Sequence, residues 1–132
     1  MKTLISELKQ EHNSLREQVA LIKKQGIVSA EGFNSLQHLR ELLQAHILRE
    51  EIDLYPQLEL AAKNDDDLRI MLDRFQGEMQ EITSTADQFF QRYNSRTQSL
   101  DFARDVARLF SILTNRMVTE ETVLYPRMEQ LV

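Results

Sequence analysis

Apolar residues recur along this chain at steps of three and four, and strand-like alternation is nearly absent. That rhythm predicts long amphipathic helices. A first helix is expected from Thr3 to Lys24, with the seam Leu4, Leu8, Leu15, Val19 and Ile22. His12 fills the seam position between Leu8 and Leu15. Gly26 ends this helix, and Lys23 and Lys24 sit in its last turn, where the helix dipole favours cations. Ser29 is the expected N-cap of a second helix, whose seam is Leu36, Leu39, Leu43, His46, Glu50 and Leu54. Pro56 lacks an N–H and clashes with the carbonyl four residues back, which predicts a kink before helix resumes from Gln57 to Ala62.

Asn64 to Asp67 reads as a turn and helix start, its carboxylates placed where the N-terminal dipole favours them. The third seam is Leu68, Met71 or Leu72, Phe75, Met79, Ile82, Ala86, Phe89 and Tyr93, with Gly77 a local weakness. Asn94 to Gln98 forms the next loop and Ser99 caps a fourth helix. That helix carries Phe102, Val106, Leu109, Leu113, Arg116, Glu120 and Leu124 inward and passes Pro126. Four helices with short connections predict one all-α domain over residues 1–132, an up-down-up-down antiparallel four-helix bundle.

Glu50-Glu51-x-x-Leu54-Tyr55-Pro56 returns seventy positions later as Glu120-Glu121-x-x-Leu124-Tyr125-Pro126. Leu39 and Leu43 match Leu109 and Leu113 in the same register, so the chain reads as two similar helical hairpins. The copies differ where it matters: His46 stands four residues before Glu50, and Arg116 four residues before Glu120.

Composition narrows the chemistry. The chain has no cysteine, which excludes disulfides, thiolate catalysis, iron–sulfur clusters and Cys-type zinc sites. A net charge of −5 without a basic block argues against nucleic acid, and no run approaches a membrane span. With no apolar signal core at the N-terminus, a cytoplasmic location is expected. No nucleophile, phosphate loop or cofactor motif accompanies the acid–base pair His46 and Glu50, so the chain is not expected to be an enzyme.

The inward polar residues carry the chemistry. His and Glu at i, i+4 lie on one helical face and suit a single cation between them. Buried carboxylates need a compensating partner, and bundle cores meet that need with paired metal ions held by bridging carboxylates and capping imidazoles. Periodicity turns Glu50 and Glu120 inward and Glu51 and Glu121 outward. His38 falls on a flank of its helix, Met79 is core, and Tyr55 and Tyr125 are expected at one end with hydroxyls in water or on a loop.

Glu11-His12, His46-x-x-x-Glu50-Glu51-x-x-Leu54-Tyr55-Pro56 and the fourth-helix copy together resemble the hemerythrin-like, HHE cation-binding family over essentially the whole chain. The resemblance implies a four-helix bundle around a carboxylate-bridged, usually di-iron centre. Such domains carry or sense oxygen, respond to nitric oxide or handle iron. It makes His12, His46, Glu50 and Glu120 the candidate metal ligands, and it implies histidine where this chain has Met79 and Arg116. A guanidinium has no lone pair for a metal but matches carboxylates. The expectation is therefore an Arg–Glu–His cluster replacing most of the di-iron site, with no cofactor, in a non-catalytic regulatory or interaction module. Its partner is an unnamed protein or a second copy in a homodimer. The alternative is a sensor or carrier holding iron or another divalent metal on the four ligands.

Overall fold

The computed structural model describes residues 2–131, and of Lys2 only the backbone. Helix α1 runs Lys2–Gln25, α2 Ala30–Arg49, α3 Tyr55–Ala62, α4 Asp66–Arg92, α5 Leu100–Thr119 and α6 Tyr125–Glu129. Two π-helical turns, Glu50–Leu54 and Glu120–Leu124, join α2 to α3 and α5 to α6 without a break. The described residues thus form four long helical rods and no strand, as a four-helix bundle requires. Among the described residues no helix is long and apolar enough to cross a membrane.

The caps are local chemistry. Ser29, Asp65 and Ser99 sit in extended backbone, and their side chains accept from the N–H of Gly32, Leu68 and Phe102, three residues on. Gly26 adopts φ 88°, a left-handed value that ends α1 without the clash a Cβ would bring. Gly32 is needed for another reason: a Cβ there would lie 1.8 Å from the Gly26 carbonyl oxygen. The α1–α2 connection is therefore closed by backbone against backbone.

The disturbance expected at Pro56 takes the form of a widened helical turn: the Tyr55 N–H donates to the Glu50 carbonyl, five residues back, and Pro56 falls in the first turn of α3. The second copy does the same, Tyr125 donating to Glu120. Each π turn starts at a buried glutamate.

Two apolar clusters fill the interior. One gathers Leu15, Val19, Leu36, Leu39, Phe89, Phe102 and their neighbours; the other gathers Ile5, Leu8, Leu58, Leu72, Phe75 and Met128. Ile5 and Leu72 are fully inside, with Leu4 and Met71 partly buried against the same cluster. Between the clusters lies a buried polar layer of His12, His46, Glu50, Arg116 and Glu120.

Candidate metal centre

The structure brings together all four candidate ligands. His12 comes from α1, His46 from the last turn of α2, and Glu50 and Glu120 open the two π turns. The Nε2 atoms of His12 and His46 lie 3.0 Å apart. Glu120 Oε1 is 2.9 Å from the first and 3.8 Å from the second, and Glu50 Oε1 is 3.5 Å from His46 Nε2. His12, His46 and Glu120 each offer an atom within 4.8 Å of the others, all three buried.

The outer ring nitrogens decide what these atoms are. His12 Nδ1 sits 2.5 Å from Glu121 Oε2, and His46 Nδ1 sits 2.7 Å from Glu11 Oε1. A carboxylate only accepts, so both Nδ1 atoms carry protons, an assignment made from the bonding network. In the neutral imidazoles both Nε2 atoms are then bare lone pairs facing each other and an anionic oxygen. Acceptors do not gather at about 3 Å without positive charge among them. Four N and O ligands about 2.1 Å from a tetrahedral ion stand about 3.4 Å apart, and the observed separations straddle that value. Glu50 Oε1, fully buried, has no hydrogen-bond partner of its own. The donor set therefore fits a cation.

Electrostatics agree. Burial alone would raise Glu120, yet the imidazoles of His12 and His46, with Arg116 beside it, hold its carboxyl well below the usual carboxylate range. Burial, then the charge of Glu120, pushes Glu50 well above that range. Burial would lower His46, but the neighbouring carboxylates of Glu120, Glu50 and Glu11 lift it to about 9. A proton is thus drawn to the same place as a metal ion would be.

Arg116 occupies the other side of the layer. Its Nε donates to Glu120 Oε2 at 3.3 Å, and its Nη2 to the Tyr55 hydroxyl at 2.8 Å and the Phe75 carbonyl at 3.1 Å. Its guanidinium stacks 4.9 Å from the Phe75 ring centre, and Nη1 lies 3.6 Å from Glu78 Oε2. Met79 is buried beside it, lining a cavity of about 20 Å³ shared with His46, Glu50, Arg116 and Glu120.

Three residues differ from the sequence expectation. Tyr125 is fully buried, not at a wet end; its hydroxyl donates to Glu50 Oε2 at 2.8 Å and lies 3.2 Å from His12 Nε2. Tyr55 is likewise inside, on Arg116. Glu121, expected outward, turns back to His12 and Arg16. For the two tyrosines the cause is common: a π turn takes up about one residue more than an α turn, so the inward face beyond it takes in Tyr55 and Tyr125 alongside the expected Leu54 and Leu124. The Glu-to-Pro spacing, repeated in both copies, was the available signal. Glu51 and His38 do face out.

The chain matches the model of the hemerythrin HHE cation binding domain over residues 3–128. It belongs to that family. No curated protein and no solved structure matches the chain. For a hemerythrin-family bundle, iron is the typical guest, and the buried group of His12, His46 and Glu120 suits a divalent ion of that kind.

Proposed function

We propose that this hemerythrin-family domain is a non-catalytic module that holds one divalent cation, on His12, His46 and Glu120 with Glu50 as the fourth donor. Arg116 supplies fixed positive charge where relatives with a full histidine set would hold a second ion. The observation that carries this reading is the pair of bare Nε2 atoms 3.0 Å apart, each with its Nδ1 tied to a carboxylate. When bound, the ion would supply Lewis acidity and, as iron, a redox-active centre. Tyr125 orients Glu50 toward it, and the apolar clusters on both sides exclude water.

The rods are read as up-down-up-down, because their connections are short and α1 packs on α2, α3 on α4 and α4 on α5. Regulation would then be exerted through the bundle exterior, where Leu48, Ile52, Leu60 and Ile70 stand exposed to a protein partner or a second copy.

A second reading keeps the site metal-free, with Arg116 and a protonated His46 neutralising Glu120. The raised His46 supports it. Thermal melts during titration with Fe(II) or Zn(II) separate the two. A cation at a hundred times its Kd adds about 2.7 kcal/mol, so the melting temperature climbs and His46→Ala abolishes the climb. No climb in wild type favours the metal-free cluster.

A further inference from the structure

The two outer carboxylates are themselves held. Glu121 receives Arg16 Nη2 at 3.0 Å on Oε1 and 2.9 Å on Oε2, while Arg16 Nη1 donates to Asn13. Glu11 receives Arg49 Nη1 at 3.4 Å, and Arg49 also bonds Asp53 at 2.6 Å and Glu7. Two chains, Arg16–Glu121–His12 and Arg49–Glu11–His46, therefore run from the surface to the buried layer. Each arginine is about a third exposed, each carboxylate less, and each histidine buried.

We infer that Glu121 and Glu11 are positioning residues for the cation, locked in turn by Arg16 and Arg49. The geometry allows little else. An imidazole free to rotate about χ2 presents either nitrogen inward; a carboxylate at Nδ1 fixes the ring so that Nε2 carries the lone pair. It also makes that nitrogen a better donor, and losing such a partner commonly weakens metal binding about 10–100-fold. Both carboxylates sit on the outer Nδ1 atoms and on an arginine, so neither belongs to the ligand set itself. The inference rests on the one-cation reading above.

The test uses the full chain and zinc as the probe. Glu121→Leu and Glu11→Leu are each expected to lower Zn(II) affinity about 10–100-fold. Glu121→Gln and Glu11→Gln, which keep an acceptor at Nδ1, are expected to lose less. In proton NMR of the metal-free protein, Glu121→Leu should remove the protected, downfield Nδ1–H resonance of His12 and leave that of His46; Glu11→Leu should do the converse. Arg16→Leu, outside the ring contacts, is expected to weaken zinc by a smaller factor and serves if a leucine variant fails to fold. Unchanged zinc affinity in folded leucine variants would overturn the inference while leaving the cation site standing. No zinc uptake by wild type would overturn the one-cation reading and this inference with it, even if both Nδ1–H resonances are seen.

Discussion

Arg116 is the residue on which the charge balance turns. It is 7% exposed and paired with Glu120, so truncating it would strand a carboxylate that is 1% exposed. In metal-free protein, Arg116→Ala is expected to cost about 3–5 kcal/mol in denaturant unfolding, as breaking a buried pair does. A cost below about 1 kcal/mol would mean that Glu120 finds its charge partner elsewhere. Much of this layer could be read from sequence, because His12, His46, Glu50, Arg116 and Glu120 all replace apolar residues in otherwise regular seams. Its two tyrosines could not, since they enter just past a turn that leaves α-helical register, and Glu121 could not, since its side chain reaches back to His12. Helical period still places Leu54 and Leu124 correctly, both fully buried.

Helix starts and stops were legible because serine, aspartate and glycine act over three residues, which is local chemistry. Tertiary context set the rest: Pro56 and Pro126 signalled a disturbance, and its form as a π turn depends on what the widened turn can bury. Glycines give a test at this scale. Gly32→Ala must push a methyl into the Gly26 carbonyl and is expected to destabilise by about 1–3 kcal/mol. Gly77, exposed within α4, has nothing within 4 Å of an added Cβ, so Gly77→Ala is expected to stabilise by about 0.5–1 kcal/mol. Urea unfolding of the two variants beside wild type checks both signs; equal effects would refute the backbone-closure account of the α1–α2 connection.

For the whole molecule, the domain match over residues 3–128 gives the family, and the state of the centre is a question of which positive charge sits there. Metal and proton differ in their response to pH. His46 in the metal-free fold is raised from 6.5 to about 9, so its contribution is fully present below pH 6.5 and is lost as pH rises through 9. Unfolding free energy of metal-free protein should therefore fall by roughly 1–3 kcal/mol across that window. A cation displaces that proton, so its affinity should rise over the same window, and loaded protein should keep its stability there. Identical pH profiles with and without cation would contradict a shared site.

Elemental analysis by plasma mass spectrometry, on protein purified without an affinity metal or chelator, tests the central claim most directly. The account predicts close to one divalent ion per chain, reduced to near zero by His12→Ala or His46→Ala. Two ions per chain would contradict the role given to Arg116, and fewer than about 0.1 per chain, unmoved by adding iron or zinc, would leave the protonated Arg–Glu–His cluster in its place.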